Sequence, residues 1–543
     1  MRENNTYLTR DREFSRRSFT RIAVAPLLSM VCRGQLRRDM ASVGTQVSSE
    51  QFGLSGDDST DNTDNLERLR QYLLQNDGSI VTFAPGVYRY KNFQWLQGVR
   101  NVTIRGIGDV GLRNVTESPW DFRRVTLVAN ADMLTGPESL PDLGVASTYP
   151  IYTATAGSAY IELIDGTIPS EITPGTTLFV SGYNQYPGGW PPCMRFSETV
   201  TAMELDPLRG RIYLTEPLAH TYREDWPAQT FVGQRFGPGT ILPLQRQGAR
   251  AFQLAETRIF DNITFLENPN GPAYINGNGL GSLYTVGVRF LELRNCKMFF
   301  LGPNENEYVR VSNCTVGRSE LGKLVGTVEI LDSTFGEITQ GTAVERLIIR
   351  NSKITQFISV APRTVILTGN TISAVSPLGF QLGLGVPLSN THVDAAFVAD
   401  NTFVTPPGPA LRGLIAVSRG SSIVPLERSA DRIVIPTSWA WLGTASIGSI
   451  IYPSAGSSAT IQDIYASGPN TVVEMSGSSL AETTGPLNVK CVRQLVVFGN
   501  QVDGTPPALQ VWDVDCPEEL ITTAMQEPIA RRSPRGWPRH LPL

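Results

Sequence analysis

The sequence predicts an all-β protein whose short strands stack as a solenoid of parallel coils, and three observations support this class. The 543 residues include 50 glycines and 37 prolines, and only 18% of them are charged, a composition typical of many short strands and turns. A short phrase recurs at nearly constant intervals in the middle of the chain. Within each repeat, apolar and polar residues alternate with the period of two that a strand requires.

The recurring phrase is a polar residue followed by a small one, as in "LRNC", "VSNC" and "ILDS". We align the repeats on Asn295, Asn313, Asp332, Asn351 and Asn370, with spacings of 18, 19, 19 and 19. A repeat this short holds two or three strands joined by tight turns rather than a pair of helices. If the coils stack at roughly 4.8 Å, each asparagine can hydrogen-bond to the backbone of its turn and to the asparagine of the next coil.

The residues four and two positions before each aligned residue are mostly apolar and are predicted to point inward. Glu292, Arg310 and Glu329 lie between these positions and are predicted to form an outer charge ladder. The inward residues are Leu291, Leu293, Val309, Val311, Val328, Ile330, Leu347, Ile349, Ile366 and Thr368. Looser copies of the phrase occur at 260–265, 399–403 and 498–502.

The N-terminal end of the solenoid needs a cap, because its first coil would otherwise expose apolar core and unpaired strand edges. The stretch "FGLSGDDSTDNTDNLERLRQYLLQNDGSIVTFAPGVYRY" (52–90) supplies one. It predicts a helix over 63–75 that places Leu66, Leu69, Tyr72 and Leu73 on one face. A strand and a Pro-Gly turn follow, and "NVTIRGIG" (101–108) starts the coils.

These same residues resemble the N-terminal portion of the pectate-lyase-like superfamily, in which the pattern "GAxGDGxTDDTxAIQxAL...GGxVxFPxGxY...NVTLxG" recurs. The resemblance is convincing over 52–108 and implies a right-handed, single-stranded parallel β-helix with an N-terminal capping helix. Members include polysaccharide lyases, polygalacturonase-type glycoside hydrolases, uronate epimerases and phage tailspikes. The motif therefore specifies a fold rather than a reaction.

Two β-rich insertions interrupt the predicted coils, and the chain divides into seven segments. These are a leader at 1–45, the cap and first coils at 46–112, an inserted β-subdomain at 113–250, the central coils at 251–405, a second β-rich insertion at 406–485, the last coil at 486–516 and a disordered tail at 517–543.

The leader contains "SRRSFTR" before the apolar run 22–31 and resembles a twin-arginine signal, which predicts export to the periplasm or the extracellular space. A chance arginine pair in a disordered basic leader is the alternative. No stretch reaches the roughly 18 apolar residues of a membrane span, so no membrane association is expected once the signal is removed. The net charge of −4 favours neither nucleic acid nor an anionic membrane as a partner.

The six cysteines show no metal-ligand spacing, so structural zinc is not expected. Cys296 and Cys314 occupy the same place in successive repeats and should stack one above the other. A disulfide between them stays open at this point, although folding in the cytoplasm before export favours free thiols.

The densest cluster of mixed charge on the coils provides four candidate catalytic residues, Arg318, Glu320, Lys323 and Glu337. Arg318, Glu337 and Gln356 are separated by the same interval as the repeats themselves and should stack on one outer face. The functional interpretation is a groove with carboxylates and a base. The alternative is a solvated charge ladder without function.

Aromatic rings that pack against sugars are the expected substrate-binding residues. The candidates are Tyr183, Tyr186 and Trp190 in the first insertion, and Trp439 and Trp441 in the second. If both insertions fold over one side of the solenoid, these rings would line a cleft. The alternative is that they anchor irregular loops to the coils.

The predicted function is an exported protein that binds a polysaccharide, with or without uronate units, and cleaves it by β-elimination or hydrolysis. The "GHG" motif expected of polygalacturonase-type enzymes is absent. A lyase needs a base and also calcium or an arginine to neutralise the uronate carboxylate, so calcium is expected only for elimination and no metal ligand is assigned. A non-catalytic surface or tailspike-like binding protein and a uronate epimerase are the alternatives, and we expect a monomer rather than a trimer.

Overall fold

The computed structural model places residues 46–543 in one unit. The residues that the structure describes are 44–91, 96, 99–115, 125–129, 149–170, 172–182, 197–218, 231–232, 241–242, 249–253, 255–266, 279–286, 288–304, 306–321, 325–340, 344–360, 362–373, 380–384, 393, 395–404, 413–417, 422–436, 450–453, 459–467, 470–477, 485–490, 495–503, 511–512 and 521–524. Residues 1–43 of the leader, with its arginine pair, lie outside them.

Two long sheets contain most of the described strands, and the first, sheet A, has 12 strands in the described chain, all paired in parallel. Each strand pairs with the next copy along the chain, as stacked coils require. The strands are Gln46–Ser48, Ser79–Phe83, Asn101–Gly106, Ala255–Asp261, Val288–Arg294, Asn306–Ser312, Val325–Leu331, Val344–Arg350, Thr364–Thr368, Ala395–Ala399, Leu495–Phe498 and Ile521–Ala524.

The second sheet, sheet B, has 16 strands among the described residues, and these are also paired in parallel. They are Asp57–Asp61, Gly86–Tyr90, Val110–Asn114, Val125–Ala129, Thr264–Leu266, Ser282–Val286, Lys297–Asn304, Thr315–Leu321, Thr334–Gln340, Lys353–Val360, Thr371–Ile372, Phe380–Leu384, Thr402–Val404, Gly413–Val417, Gln501–Asp503 and Val511–Trp512. Within each coil a strand of sheet A leads into a strand of sheet B, and the apolar core lies between the sheets. The predicted parallel β-helix is therefore confirmed.

The turn from sheet A to sheet B is the same in most coils, because one residue adopts a left-handed backbone conformation there. Asparagine, aspartate and glycine tolerate this conformation best. The residues are Asn262, Asn295, Asn313, Asp332, Asn351 and Asp400, with φ between 49° and 57°, and Gly369 and Gly499, with φ of 67° and 65°.

The alignment of the fifth repeat on Asn370 is wrong by one residue. Gly369 occupies the turn position that Asn351 holds in the preceding coil, and the spacing between them is 18 rather than 19. Val365 and Leu367 therefore point inward in place of the predicted Ile366 and Thr368. In the other four repeats the predicted inward residues are buried.

A buried ladder runs along the solenoid at the residue after the turn position. In each coil the backbone N–H of this residue donates to the side chain of the equivalent residue in the next coil, over distances of 2.9 to 3.3 Å. Its members, in order, are Cys296, Cys314, Ser333, Ser352, Asn370, Asn401 and Asn500. Of the residues on which we aligned the repeats, Asn370 belongs to this inner ladder, and in the coils before it the small residue after the turn takes that place.

The turn residues, all of which except Asn262 are exposed, make a shorter outer ladder. The Asn313 side-chain amide donates to Asn295 Oδ1 at 2.6 Å, and the Asn295 amide donates to Asp261 Oδ1 at 3.1 Å. Within the inner ladder, Cys296 and Cys314 are buried free thiols, and burial raises the pKa of Cys296 well above its ordinary value. The stacking predicted for the two cysteines is correct.

The capping helix spans Thr63–Gln75, as predicted, and buries Leu66, Leu69 and Leu73 against the core. Tyr72 is half-buried and packs on the same core. The acidic residues before the helix form the strand Asp57–Asp61. A short 3-10 helix, Ser49–Phe52, precedes this strand. The coils begin before "NVTIRGIG", because Gln46–Ser48 and Asp57–Asp61 already pair in parallel with the strands of the following coil.

Arg258 is fully buried where the capping region meets the first coils. Its guanidinium donates to the carbonyl oxygens of Arg100 at 2.9 Å, Thr257 at 3.1 Å and Leu96 at 3.2 Å, and also to that of Val99. Burial lowers the pKa of Arg258 to about 9. This side chain ties the segment before the strand Asn101–Gly106 to the coil above it.

The first β-rich insertion contains an antiparallel sheet with a separate apolar core. Its described strands are Tyr149–Pro150, Tyr160–Glu162, Thr177–Gly182, Ser197–Asp206, Arg211–Leu214 and Ala249–Gln253, with a two-stranded sheet at Phe231–Val232 and Ile241–Leu242. Strand Ser197–Asp206 lies against strand Val325–Leu331 of sheet A. The predicted segment also contains Val125–Ala129, which belongs to sheet B.

The second β-rich insertion contains another antiparallel sheet, again with a core of its own. Its described strands are Ser422–Ile423, Glu427–Arg428, Arg432–Pro436, Ile450–Pro453, Ala459–Ser467, Asn470–Gly477 and Leu487–Lys490. Gly413–Val417, which lies within the predicted insertion, pairs in sheet B, whereas Leu487–Lys490, which lies within the predicted last coil, pairs in the sheet of the insertion. Ile521–Ala524, which we had included in the disordered tail, extends sheet A.

Candidate functional site

In three neighbouring strands of sheet B, Lys297–Asn304, Thr315–Leu321 and Thr334–Gln340, the alternation of inward and outward residues is interrupted in the middle, where two consecutive residues lie between two buried, inward-pointing ones. In strand Thr315–Leu321 the buried residues are Val316 and Ser319, and the outward pair between them is Gly317 and Arg318. The equivalent pairs are Phe299 with Phe300 in the coil before and Gly336 with Glu337 in the coil after. Gly336 is itself buried, whereas Glu337 is half-buried. We call these six residues the bend, and two of the predicted catalytic residues, Arg318 and Glu337, belong to it.

Arg318 and Glu337 are brought together at the bend, as the repeat spacing predicted. They are direct partners in neighbouring strands, and Arg318 Nε lies 3.4 Å from Glu337 Oε1. The Arg318 side chain is 37% exposed and the Glu337 side chain only 15% exposed. The guanidinium is thus open to solvent on one side, while most of the carboxylate is covered.

The pKa of the Glu337 carboxyl is raised above its ordinary value. Burial is the largest cause, because it disfavours the charged form. The positive charge of Arg318 acts in the opposite direction, and the negative charge of Glu320 adds to the effect of burial. Glu337 is therefore a carboxyl group that holds its proton to higher pH than a free glutamate does.

Glu320 lies two residues after Arg318 on the same strand and faces outward, because its neighbours Ser319 and Leu321 are buried. It is half-buried, and its backbone pairs with Thr339 rather than with Glu337. Its negative charge contributes to the raised pKa of Glu337. Lys323, the fourth predicted catalytic residue, lies outside the described residues.

Gln356 is not the partner of Glu337, contrary to the prediction from spacing alone. A β-bulge in strand Lys353–Val360 inserts one residue, so that Glu337 pairs with Phe357 instead. Gln356 is exposed, and its side-chain amide carbon lies 3.3 Å from the point that a Cβ atom on Gly336 would occupy. The side chain of Gln356 therefore covers Gly336.

Phe299 covers the other glycine of the bend and was missed in the sequence analysis. Its ring atoms Cδ2 and Cε2 lie 2.7 and 3.1 Å from the point that a Cβ atom on Gly317 would occupy. The ring thus packs over the glycine beside Arg318, and the ring itself is half-buried. The available signal was a glycine that recurs in two successive repeats, directly before Arg318 and directly before Glu337.

The predicted charge ladder on sheet A is present as a network of ion pairs. Arg310 Nε lies 4.0 Å from a Glu292 carboxylate oxygen and 3.6 Å from one of Glu329. The Tyr308 hydroxyl donates to Glu329 Oε2 at 2.6 Å, and burial together with this carboxylate raises the pKa of Tyr308. The ladder lies on the outer face of sheet A, in agreement with its structural interpretation.

The predicted substrate-binding aromatic residues, Tyr183, Tyr186, Trp190, Trp439 and Trp441, all lie outside the described residues. In the parts of the chain that the structure describes, no three histidine, cysteine, aspartate or glutamate side chains group as metal ligands. Within the same parts, no helix has both the length and the apolar character of a membrane span.

The bend can support acid–base chemistry. A carboxyl with a raised pKa can donate a proton, and a second carboxylate can accept one. The guanidinium between the solvent and Glu337 can bind an anion or a hydroxyl group of a ligand. These three functional groups, on Arg318, Glu320 and Glu337, define the candidate site.

Comparisons with known proteins found similar solved structures, whereas no protein-family model and no curated protein matches the chain. The tailspike gp61 of Pseudomonas phage phi297 is 10% identical, with 82% of this chain and 98% of that chain covered and a TM-score of 0.32. The tailspike gp49 of Pseudomonas phage LKA1 is 10% identical, with the same coverage and a TM-score of 0.28. The Gp54 tailspike of Acinetobacter baumannii bacteriophage AP22, solved in complex with a capsular saccharide, is 8% identical over 88% of this chain and 76% of that chain, with a TM-score of 0.29. The assignment of the fold rests on the strand pairing described above.

Proposed function

We propose that the protein binds a polysaccharide across the bend of sheet B and hydrolyses a glycosidic bond there. The observation that carries this proposal is the grouping of Arg318, Glu320 and Glu337 on one outward surface, with the pKa of Glu337 raised. Most glycoside hydrolases use a pair of carboxyl groups, one of which is protonated and acts as the general acid. The resemblance of the N-terminal cap to the pectate-lyase-like superfamily, which includes polysaccharide hydrolases and lyases, supports the same substrate class.

The proposed roles follow from the environment of each side chain. Glu337 donates its proton to the glycosidic oxygen as the bond to the anomeric carbon breaks. Glu320 takes a proton from the attacking water, whose oxygen forms the new bond to the anomeric carbon. Arg318 positions Glu337 and contacts the substrate through the exposed part of its guanidinium.

β-Elimination is the second candidate reaction, and the exposure of Arg318 favours it. An arginine that faces the substrate could remove the proton beside a uronate carboxylate or neutralise that carboxylate. The products distinguish the two reactions, because elimination forms an unsaturated uronate that absorbs in the ultraviolet and hydrolysis does not. Calcium would be required only for elimination.

The decisive experiment incubates the purified protein with polygalacturonate, alginate, cellulose and xylan, with and without a calcium chelator. New reducing ends without ultraviolet absorbance support hydrolysis, and reducing ends with absorbance support elimination. Binding without either signal would favour a non-catalytic binding protein or an epimerase. A mass measurement in solution separates the expected monomer from a trimeric, tailspike-like assembly.

Variants then connect the activity to the bend. Arg318→Ala and Glu337→Gln should each abolish turnover while the melting temperature changes by only a few degrees. The matched control is Glu345→Gln, because the ion pair between Glu345 and Arg363 has the same 3.4 Å separation on another part of the coils. Full activity in both bend variants would move the site elsewhere on the protein.

We also propose that the mature protein is exported, because the leader resembles a twin-arginine signal. Replacing Arg16 and Arg17 with lysine should retain the protein in the cytoplasm, and cell fractionation measures this. Unchanged export of the variant would overturn the proposal.

A further inference from the structure

Two side chains flank the ion pair of the bend, and neither belongs to the acid–base group. The Phe299 ring packs over Gly317, directly before Arg318, and the Gln356 side chain covers Gly336, directly before Glu337. Gly317 and Gly336 lie at the same position of neighbouring coils. The Phe299 ring therefore lies beside the glycine that precedes Arg318, and the Gln356 amide lies beside the glycine that precedes Glu337 in the next coil.

We infer that Phe299 and Gln356 are substrate-contacting residues that place two consecutive sugar units on either side of the Arg318–Glu337 pair. This inference rests on the proposed function, and it adds which residues hold the substrate and in which direction the glycan runs. The glycan lies parallel to the direction in which the coils stack. One sugar packs on the Phe299 ring, the next is hydrogen-bonded by Gln356, and the bond between them faces Glu337.

The chemistry of the two side chains suits these tasks. The C–H face of a sugar ring is apolar and packs on an aromatic ring, which offers a large rigid surface. A glutamine amide can donate to one hydroxyl group and accept from another. A ring and an amide together thus recognise both the apolar face and the polar edge of a glycan.

The spacing of the coils supports the direction of the glycan. Neighbouring parallel strands are about 4.8 Å apart, which is similar to the advance of an extended glycan per sugar unit. Phe299 and Gln356 belong to strands three coils apart, but their side chains reach over Gly317 and Gly336, which lie on adjacent coils. The two contacts are therefore presented about one sugar unit apart. The glycines beneath the two side chains keep these contacts close to the backbone of the sheet, because any Cβ atom at Gly317 would collide with the Phe299 ring.

The first pair of variants tests whether the aromatic face of Phe299, rather than its apolar character alone, contacts the sugar. Phe299→Leu keeps an apolar side chain over Gly317 but removes the aromatic face, and Phe299→Tyr retains the face. We expect KM to rise up to about tenfold in Phe299→Leu, with kcat within a factor of two, and we expect near-normal KM in Phe299→Tyr. The matched control is Phe290→Leu, a half-buried phenylalanine on the outer face of sheet A.

A binding measurement separates this inference from the proposed function. Isothermal titration uses the full chain with Glu337→Gln, alone and combined with Phe299→Leu or Gln356→Ala, against hexasaccharides of polygalacturonate, alginate and cellulose. A loss of affinity of about tenfold in both double variants supports the inference, whatever the activity assays give. Unchanged affinity in both double variants overturns the inference even if Glu337→Gln is inactive. The inference is also overturned if the single Glu337→Gln variant binds none of the three probes.

Discussion

Arg318 and Glu337 face each other across one coil step of sheet B, with Arg318 Nε 3.4 Å from Glu337 Oε1. A carboxylate beside a guanidinium usually has a lowered pKa. At Glu337 the direction is reversed, because burial and the charge of Glu320 together outweigh Arg318. The pKa of Glu337 therefore depends on the charges of both Arg318 and Glu320.

Substitution of these two neighbours should move the pKa of Glu337 in opposite directions. Glu320→Gln removes a negative charge and is expected to lower that pKa, whereas Arg318→Met removes a positive charge and is expected to raise it. An NMR titration of the Glu337 side-chain carboxyl measures both shifts. A shift in the same direction in the two variants would contradict the electrostatic account.

The raised pKa of Glu337 also links stability to pH. The native carboxyl holds its proton more tightly than the unfolded one, so its contribution to stability is fully present below the ordinary value of 4.5 and is lost as pH rises through the native pKa. Glu337→Gln is neutral at every pH. Its free energy of unfolding relative to the wild type is therefore expected to increase from about pH 4.5 upward, as urea denaturation at a series of pH values would measure, and a flat difference would count against the shift.

The inner ladder is expected to be much more sensitive to substitution than the outer one. Asn370 accepts from the Ser352 N–H at 2.9 Å and donates to the Ile349 carbonyl and to Asn401 Oδ1, both at 2.9 Å. Asn370→Ala leaves buried groups unpaired, at about 1–3 kcal/mol each.

The control for the inner ladder is Asn351→Gly at the exposed turn position, where the positive φ of 50° suits glycine. Chemical denaturation should show a large loss of stability for Asn370→Ala and a change of a few tenths of a kcal/mol for the control. Equal effects at the two positions would show that the ladder inside the core has no special role.

Arg258 is expected to be essential for the junction between the cap and the coils. Arg258→Met keeps much of the side-chain volume but leaves several carbonyl oxygens without their donor, at about 1–3 kcal/mol for each buried group. The stability of Arg258→Lys should lie between those of the wild type and Arg258→Met, because an ammonium group donates from one atom rather than from a planar fork. Thermal denaturation measures the order of the three stabilities. A melting temperature of Arg258→Met equal to that of the wild type would show that the cost of burying the charge exceeds the stabilisation from its hydrogen bonds.

The sequence was informative wherever one local pattern repeated. The period of two within the repeats identified the inward residues of four coils, and the amphipathic pattern over 63–75 identified the capping helix. The constant spacing of the repeats brought Arg318 and Glu337 together correctly. It failed at Gln356, because a bulge of one residue shifts the register, and at Asn370, because a glycine took the turn position.

By itself, the sequence determined the class of fold and the capping helix, because hydrophobic periodicity and turn chemistry are local properties that each coil repeats. It also determined which charged residues share a face, since parallel coils convert a constant spacing in the chain into a contact. Only the tertiary structure decided that the residues after the turn form the buried ladder, that Phe299 and Gln356 flank the ion pair, and that the pKa of Glu337 is raised. These features depend on register, bulges and burial, which arise when neighbouring coils stack and which no single repeat contains.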